Sequence, residues 1–502
     1  MSKLMGRILA VIPVVLFQLW WWLFLLQWIA PYASIINALL SAASFFFVLY
    51  IITKQDEGTY KILWLLVLLI APIPGALLYL LFGNKRTTMP LKKRLRKAEK
   101  GLPEAGWGDM ELARLAQTEP RLSQTLRWIS QTTGFPLQEV GEAEYYPVGE
   151  KLFGAMMEEL EKAEKFIFAE YFIIARGEMW DAMVEVMARK VKEGVDVRVM
   201  YDDLGSISTF SKQNARELRA LGIQCIAVNR MRAIRGVLNY RDHRKMLIID
   251  GRVVFSGGVN ISDEYINLVE KFGHWKDVGF RLTGPGVDSY TRMYALFWSA
   301  FDRKAIPASL PETPAQPGGG EGYVLSYYDS PLTEQAVSNE LYIELLSQAK
   351  DYIWFFTPYL MPGDALMDAF IRAARRGVDV RIIMPGIPDK KMIFRMSHSF
   401  YPVLLEGGVK IYEYTPGFVH AKGCVMDDKV CTVGTVNLDY RSLFLHFENN
   451  AVFYGGPVWQ DVKADFLDSQ TKSREMVLGG NVKMGFWHWM LDGILRIFAP
   501  LC

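Results

Sequence analysis

The chain has 502 residues, of which 51% are apolar and 13% aromatic, and its formal net charge is only +2. This composition excludes an intrinsically disordered protein and allows large cores together with membrane segments. The cysteines are too few and too scattered for a disulfide framework, and none forms a C-x-x-C pair. The sequence therefore predicts more than one domain, in a reducing compartment.

The N-terminal part of the chain is predicted to be a membrane region. No charged residue lies between Arg7 and Lys54, a run far longer than the apolar core of a signal peptide. Pro31 and the polar residues after it divide this run, and a later apolar segment contains prolines that predict a kink or a re-entrant path. Two to three hydrophobic segments are predicted within residues 1–84, as helices over 8–30, 34–53 and 62–83.

A strongly basic stretch follows the last apolar segment and opens a juxtamembrane and connecting region, residues 85–150. Its cations are Lys85, Arg86, Lys92, Lys93, Arg94, Arg96, Lys97 and Lys100. By the positive-inside rule, the remainder of the chain is predicted to be cytoplasmic. The stretch is a stop-transfer flank with a solvated helix face, a segment that holds the next domain close to anionic head groups, or both.

From residue 151 the chain is predicted to be an α/β protein with two pseudo-symmetric halves. In each half an apolar strand-like run precedes a helix-period stretch and a second buried strand. The string Gly-Val-Asp-Val-Arg recurs there, at 194–198 and 377–381. This alternation predicts a mixed, mostly parallel sheet flanked by helices in each half. The predicted segments are a first half at 151–304, a Pro/Gly-rich linker at 305–322, a second half at 323–480 and a C-terminal amphipathic segment at 481–502.

The C-terminal segment is open to two interpretations. Its apolar residues fall on one helical face, namely Trp487, Met490, Leu491, Ile494 and Phe498. Such a face either packs against the core or lies in a membrane interface.

The most informative feature is a repeated H-x-K-x-x-x-x-D pattern with a glycine- and asparagine-containing turn after it. Its polar residues are His243, Lys245, Asp250 and Asn260 in the first copy, and His420, Lys422, Asp427 and Asn437 in the second. The chain has only six histidines, so two in one frame are informative. Because alternate residues of a strand point to the same side, each copy presents one imidazole and one cation together.

Two imidazoles and two ammonium groups in one cleft suit a phosphodiester substrate. If the halves pack about a pseudo-twofold axis, the lysines can neutralise the phosphate oxygens. One neutral imidazole can attack phosphorus while the other protonates the departing oxygen. The amides of Asn260 and Asn437 are predicted to add donors to the same oxygens. Asp250 and Asp427 complete the catalytic motif and are predicted to brace strands and turns.

A nucleophilic imidazole needs its other nitrogen held, usually by a carboxylate. Asp277 begins a strand-like run after the first motif, and Glu448 does so after the second. A single acid at such a place is most simply a solvated strand end. Matching positions in both copies favour an orienting role, with Asp277 behind His243.

Neither a metal nor another cofactor is predicted, because no cysteine or second histidine lies at ligand spacing in either copy. An H-x-K histidine is usually structural, and duplicate descent would account for two copies, but not for polar residues kept inside apolar strands. The remaining histidines are predicted to be structural or surface residues, namely His274, His398, His446 and His488.

The doubled motif, with its G-G-x-N and G-T-x-N turns, resembles the phospholipase D superfamily, whose members pair two such halves and form a phosphohistidine. The segments PGALLYLLFG, NYRDHRKMLIIDG, FFTPYLMP, GFVHAKGCVMDD and GTVNLDYRSLFLHFE resemble bacterial cardiolipin synthases of the membrane-anchored type. Two residues depart from the pattern of that family. His446 stands where asparagine is more common, and Asp242 stands where a neutral amide is usual.

The resemblance implies transfer of a phosphatidyl group between two phosphatidylglycerol molecules, giving cardiolipin and glycerol. It implies His243 as nucleophile and His420 as general acid and later base, an order that symmetry alone leaves open. The implied partners are phosphatidylglycerol and anionic membrane lipid, with no nucleic acid, and a homo-oligomer is left open. The implied location is the bacterial cytoplasmic membrane, with a multi-pass anchor and a cytoplasmic catalytic region.

Three alternatives are weighed against this interpretation. A membrane-anchored phospholipase D-type hydrolase or a phosphatidylserine synthase would use the same site. A nuclease is disfavoured by the hydrophobic N-terminus. A non-catalytic lipid-binding scaffold is disfavoured by the intact histidine and lysine in both copies.

Overall fold

A computed structural model gives the architecture of most of the chain. The predicted linker, helix 8–30 and the start of the basic stretch lie partly outside the described residues. The structure describes residues 12–13, 15–24, 30–54, 56–83, 89–103, 106–230, 239–302, 311, 318–333, 335–482 and 485–501.

The N-terminal region is mostly helical where it is described. Its elements are α1 (Ala30–Ile52), α2 (Gly58–Ile70), α3 (Pro72–Leu78) and a π-helical turn (Tyr79–Gly83). The predicted third segment breaks at Ala71, because Pro72 lacks an N–H and fits only the first turn of a new helix. Across the described residues, no helix combines the length and the apolar character that a membrane crossing needs. The membrane crossings therefore stay a prediction.

The connecting region and the first half supply one series of elements. The connecting region has α4 (Met89–Glu99), α5 (Asp109–Thr118), α6 (Pro120–Thr133), β1 (Leu137–Glu139) and β2 (Ala143–Tyr146). The first half has α7 (Gly149–Glu161), β3 (Phe166–Tyr171), α8 (Glu178–Lys192), β4 (Asp196–Asp202), α9 (Lys212–Ala220), β5 (Gln224–Val228), β6 (Met246–Ile249), β7 (Val253–Gly257), β8 (His274–Lys276), β9 (Gly279–Thr283) and α10 (Gly286–Phe301).

The second half follows the same plan and ends in a separate helix. Its elements are β10 (Tyr323–Asp329), α11 (Val337–Gln348), β11 (Tyr352–Phe356), β12 (Leu360–Met361), α12 (Asp364–Arg375), β13 (Asp379–Pro385), α13 (Lys391–Glu406), β14 (Lys410–Tyr414), β15 (Gly417–Val419), β16 (Gly423–Met426), β17 (Val430–Gly434), β18 (Leu438–Asp439), α14 (Tyr440–Phe444), β19 (Glu448–Tyr454), α15 (Val458–Thr471) and β20 (Ser473–Glu475). The C-terminal helix is α16 (Phe486–Phe498).

The two large sheets have matching strand orders. The first is a 7-stranded sheet in the order β2-β9-β7-β6-β3-β4-β5. The second is a 9-stranded sheet in the order β1-β10-β19-β17-β16-β11-β13-β14-β20. Without its edge strands β1 and β20, the second order repeats the first strand for strand. The prediction of two pseudo-symmetric α/β halves is therefore confirmed, and the connecting region adds an edge strand to each sheet.

The prediction that each sheet is mostly parallel is wrong. In the first sheet only β3–β4 and β4–β5 pair in parallel, whereas β3–β6, β6–β7, β7–β9 and β2–β9 are antiparallel. The reason is the short connection after the motif strand. Asp250 and Gly251 both have positive φ, at 56° and 62°, in a tight turn that can join only antiparallel neighbours.

The halves share one core between the two sheets. Helix α10 contacts β6, β7 and β9 of the first sheet and β10 of the second, and α15 contacts the second sheet and β2 of the first. Aromatic pairs cross the interface, with ring centroids 4.9 Å apart for Phe297–Phe447 and 5.3 Å for Phe280–Phe453. Because the core is common to both halves, their relative orientation is set by packing, and the motif strands of the two halves face each other.

Candidate active site

The two H-x-K segments are extended chain that leads directly into the buried strands β6 and β16. His243, Lys245, His420 and Lys422 are all buried. In each copy the lysine Nζ donates to the backbone carbonyl of its own histidine. The imidazole and the ammonium group of one copy therefore lie on the same side of the chain.

Each histidine segment pairs with a strand of the other half. The N–H of His243 donates to the carbonyl of Phe447 over 2.9 Å, within a parallel bridge between Asp242 and Phe447. In the second copy, β15 pairs in parallel with β8, and the N–H of His420 donates to the carbonyl of Lys276 over 2.7 Å. The two halves are thus joined by backbone hydrogen bonds at both histidines.

This pairing exchanges the two orienting acids. The Nδ1 of His243 lies 2.9 Å from Oε2 and 3.0 Å from Oε1 of Glu448, and the Nδ1 of His420 lies 2.6 Å from Oδ2 of Asp277. Each imidazole therefore presents its Nε2 for chemistry. The prediction that Asp277 stands behind His243 is wrong, because Asp277 holds His420.

Strand spacing explains the exchange. Within the first sheet β7 lies between β6 and β9, so the acid at the start of β9 is two strands away from the motif strand, about 10 Å. The strand carrying the acid of the other half pairs directly with the histidine segment. Asp277 directly follows β8 and Glu448 directly follows Phe447, so backbone pairing across the interface delivers a carboxylate to each Nδ1.

The two carboxylates are held differently. Glu448 accepts from Thr435 Oγ1 over 2.5 Å and from Ser442 Oγ over 2.6 Å. Asp277 accepts from the N–H of Val278 over 2.9 Å and lies against Gly258, where a Cβ would come 2.1 Å from its Oδ1. Gly258 and Thr435 occupy the same position in the G-G-x-N and G-T-x-N turns. Sequence reasoning missed the roles of Thr435 and Ser442, although the difference between the two turns was visible.

The motif aspartates bind backbone rather than the imidazoles. Asp250 accepts from the N–H groups at positions 164, 165 and 166 over 2.9, 2.7 and 2.8 Å. Asp427 accepts from positions 350, 351 and 352 over 2.8, 3.0 and 2.9 Å. Three N–H donors for one carboxylate form a strong brace at the start of the neighbouring strand. This geometry assigns both residues to the support of the strands that precede the site.

The side chains of the two asparagines differ in their contacts. Asn260 accepts from the N–H of Ile173 over 3.0 Å and donates to the Tyr265 hydroxyl over 2.7 Å. Tyr265 in turn packs edge-on against His420, with ring centroids 5.3 Å apart. The side-chain oxygen of Asn437 is buried and has no hydrogen-bond partner among the described residues. Asn260 thus positions the Tyr265 ring beside His420, a contact that the sequence did not predict.

Burial and positive charge dominate the electrostatics of the imidazoles. Burial, followed by the charges of Lys245 and Lys422, lowers the pKa of His243 well below its usual value. Burial, Lys422 and then Lys245 do the same to the pKa of His420. Both imidazoles are therefore neutral at pH 7 when no anion is bound, and both lysines act on both of them.

The pKa values of the two lysines and the two acids are shifted by the same cause, burial. Burial lowers the pKa of Lys245 to about 7 and the pKa of Lys422 to about 8. Burial raises the pKa of Asp277 to about 6 and that of Glu448 to about 7, against the opposing charges of the lysines. A bound phosphodiester would stabilise every cationic form in this set. The site is therefore built to gain positive charge when an anion enters.

Asp242, one of the two residues that depart from the family pattern, pairs with a buried arginine. Arg244 Nε donates to Asp242 Oδ1 over 2.8 Å, and the guanidinium also pairs with Glu170. Its charge lies over the Phe297 ring, 3.5 Å from the centroid. Burial favours the neutral acid, but the charge of Arg244 keeps the pKa of Asp242 below its usual value. Asp242 thus belongs to a buried ion cluster next to His243.

His446, the other residue that departs from the family pattern, is not on the surface but lies beside His243. Its ring is 5.9 Å from that of His243, nearly perpendicular, and its Nε2 accepts from Arg441 Nε over 3.0 Å. His274 and His398 contact Tyr414 and Glu413, away from the reacting groups. Among the described residues, no group of three potential ligand side chains is arranged for a metal ion.

Comparisons with known proteins identify the family of the chain. A family profile described as "Cardiolipin synthase, PLD-like domain" matches residues 156–271 and 342–469, and one described as "Phospholipase_D-nuclease N-terminal" matches residues 42–84. The cardiolipin synthase of Geobacillus kaustophilus is 34% identical over 94% of this chain and 95% of its own length. An uncharacterised protein of Streptococcus mutans is 40% identical over 90% of this chain and 99% of its own.

One solved structure shares the fold. The phosphatidylserine synthase of Haemophilus influenzae superposes with a TM-score of 0.54, covering 75% of this chain and 98% of its own. The sequence identity of 16% limits this likeness to the architecture.

A first prediction concerns the room that Gly258 leaves for Asp277. In Gly258→Ala the new methyl would collide with the carboxylate and move it away from His420. We expect phosphodiester turnover to fall about 100-fold, as for other small displacements of an orienting group, while the protein stays folded. Gly154→Ala is the control, because a Cβ there meets nothing within 4 Å. Equal turnover of the two variants, with thermal unfolding checked for both, would contradict the assigned role of Asp277.

A second prediction concerns protons taken up with an anion. At pH 8 Lys245, with its pKa of about 7, is mostly neutral in the free site, and a phosphodiester should return its charge. We expect binding of glycerophosphoglycerol, whose single charge is constant, to take up about one proton at this lysine in addition to those taken up at His420 and Lys422, and to weaken as pH rises from 7 to 9. Calorimetry in buffers of different ionisation enthalpy measures the uptake. Lys245→Met should lose that proton and Lys410→Met should keep it, whereas unchanged uptake in Lys245→Met would refute the assignment.

Proposed function

We propose that this chain, which belongs to the cardiolipin synthase family with paired phospholipase D-like domains, transfers a phosphatidyl group from one phosphatidylglycerol to another. The products are cardiolipin and glycerol. The observation that carries the proposal is the pair of imidazoles, each with a carboxylate on Nδ1 and a buried lysine beside it. This is the set that a double displacement at a phosphodiester requires without a metal.

In the first step, the lone pair of His243 Nε2 attacks the phosphorus of one phosphatidylglycerol. Glu448 keeps the Nδ1–H of His243 in place and stabilises the positive charge that develops on the ring. His420, protonated in the complex, gives its proton to the glycerol oxygen as the P–O bond breaks. The step yields a phosphatidyl-histidine, free glycerol and a neutral His420.

In the second step, a glycerol hydroxyl of another phosphatidylglycerol replaces the departed alcohol. His420 Nε2 removes the hydroxyl proton as the oxygen attacks phosphorus, and the P–N bond to His243 breaks. Asp277 stabilises the imidazolium that forms. The enzyme returns to its first state, in which His420 is the protonated imidazolium and His243 is neutral. Protons and charge therefore balance over the cycle.

Lys245 and Lys422 serve both steps by lying on either side of the negative phosphate oxygens. Their charge is costly while the site is empty, since burial lowers both pKa values. The anionic substrate offsets that cost, so binding energy is directed to the phosphate group. The negative charge of the substrate also raises the pKa of His420 towards the value that a general acid needs.

Transfer to lipid rather than to water depends on supply of the second substrate. We place the catalytic halves at the cytoplasmic face of the bacterial membrane, with residues 1–84 as a multi-pass anchor, because the membrane raises the local concentration of lipid alcohol. A phospholipase D-type hydrolase and a phosphatidylserine synthase would use the same residues and differ only in the accepting hydroxyl.

The proposal is tested with purified protein in vesicles whose only reactive lipid is phosphatidylglycerol. We expect cardiolipin and glycerol in equal amounts, with His243→Ala and His420→Ala each lowering the rate at least about 1,000-fold because a triad member is lost. His398→Gln, which keeps a donor for Glu413, serves as the histidine control. Phosphatidic acid and glycerol alone would identify a hydrolase, and activity only with an activated lipid and serine would identify a phosphatidylserine synthase.

A further inference from the structure

The C-terminal helix packs on the protein through two charged residues and through Leu495, which is partly buried against the core. Asp492 pairs with Arg395 of α13 over 2.6 Å. Arg496 donates to the carbonyl of Ser399 and lies over the Phe400 ring, 5.0 Å from the centroid. None of the residues of α16 is buried. The two charged groups of the helix are therefore already engaged on its inner side.

The outer side of α16 carries its large apolar residues. Trp487 and Trp489 are each 72% exposed. The other exposed apolar side chains are Phe486, Met490, Leu491, Ile494 and Phe498. A surface helix of a water-soluble domain has the reverse arrangement, with its apolar stripe towards the core. This resolves the two interpretations of the segment against core packing.

The outer side of α16 is continuous with the N-terminal apolar helices. Helix α16 contacts α2, and the 3-10 turn Ala499–Leu501 that follows it contacts both α2 and α14. The end of α2 presents Leu69 and Ile70, each 78% exposed. An apolar surface of this extent on a soluble monomer marks a site of interaction.

The inner side of α16 links this surface to the mouth of the active site. It rests on α13, which begins directly after Lys390. The Nζ of Lys390 lies 3.4 Å from the Tyr359 hydroxyl, and its charge lowers the pKa of both His243 and His420. The Tyr359 ring contacts Phe418, which contacts His420, so Lys390 is an exposed cation close to the catalytic groups.

Exposed apolar residues from both halves surround Lys390. Ile387 and Met392 flank it in the second half, and Leu268 and Val269 are exposed on the facing loop of the first half. The two sides touch, because a Cβ at Gly273 would lie 3.1 Å from Ile387 Cδ1. Lys271 and Lys391 add exposed positive charge to this rim. Its acids are Glu270, Glu264, which lies 3.5 Å from Lys271, and Asp389, which lies 3.5 Å from Lys390.

We propose that α16 and this rim form one bilayer-binding surface that seats the mouth of the active site in the head-group layer of an anionic membrane. Tryptophan and phenylalanine beside lysine are the side chains that favour this layer. A lipid surface fits better than a protein partner, because the two charged side chains of α16 face inward, and the exposed side is apolar apart from His488 and the indole N–H groups. The inference goes beyond the proposed function, since the chemistry at the two histidines does not require α16.

The surface is tested with the full chain in vesicles of phosphatidylcholine and phosphatidylglycerol. Single cysteines at Trp489 and Met392, in a Cys502→Ser background, carry an environment-sensitive fluorophore. Met110, which is exposed on α5, provides the control position. We expect blue-shifted emission and quenching by brominated lipid at 489 and 392, and neither at 110. Emission like that of water at 489, or protection from both lipid and aqueous quenchers, would overturn the proposal in favour of solvent or of a protein contact.

A kinetic arm separates this surface from the chemistry. The double variant Trp487→Ser, Trp489→Ser should lose about tenfold in kcat/KM on vesicle phosphatidylglycerol and stay within about twofold of wild type on a short-chain, dispersed phosphatidylglycerol. Trp107→Ser, Met110→Ser is the control, with side chains that are 45% and 60% exposed and lie beside the edge strand β1. Equal kcat/KM of both double variants on vesicles would refute the proposal. Loss of the proposed function itself would appear differently, as no cardiolipin from the wild type on either substrate while the quenching persists.

Discussion

The contact on which the rest of the structure depends is the backbone pairing of each histidine segment with a strand of the opposite half. It supplies the N–H donors of His243 and His420 with carbonyl partners and sets the acid of the other half on each Nδ1. Neither half alone holds an oriented imidazole. The shared core around α10 and α15 maintains this contact, so packing far from the cleft determines whether the catalytic groups are in line.

A second constraint is the charge enclosed at that contact. Two lysines, two imidazoles and two carboxylates are buried together, and burial moves the pKa of each towards the neutral form. The charged forms of these six buried side chains are poorly stabilised until an anion enters. In the proposed reaction the phosphodiester completes the charge balance. The two halves stay unequal, because Glu448 accepts from two hydroxyl groups, whereas Asp277 accepts from the N–H of Val278 and lies against Gly258.

Much of this could be predicted from the sequence, since duplicated motifs and buried strand runs report local chemistry directly. The pairing of the acids could not, because the period-2 rule assigns a side chain to a face of its strand but not to a partner strand. The prediction of a mostly parallel sheet was wrong for a similar reason. The Asp250–Gly251 turn reverses the chain, and it depends on the backbone angles of two residues. The orientation of α16 was undecidable because an apolar stripe is the same whether it meets protein or lipid.

The exchange of acids is tested most directly by single-turnover trapping with a p-nitrophenyl phosphatidyl ester, whose leaving group departs without a proton from His420. Mass spectrometry locates the phosphoryl label. We expect Asp277→Asn to form phosphohistidine at His243 at nearly the wild-type rate and then to accumulate it, because His420 cannot activate the acceptor. Glu448→Gln should form it slowly. The reverse pattern, with the label still at His243, would contradict the crosswise pairing.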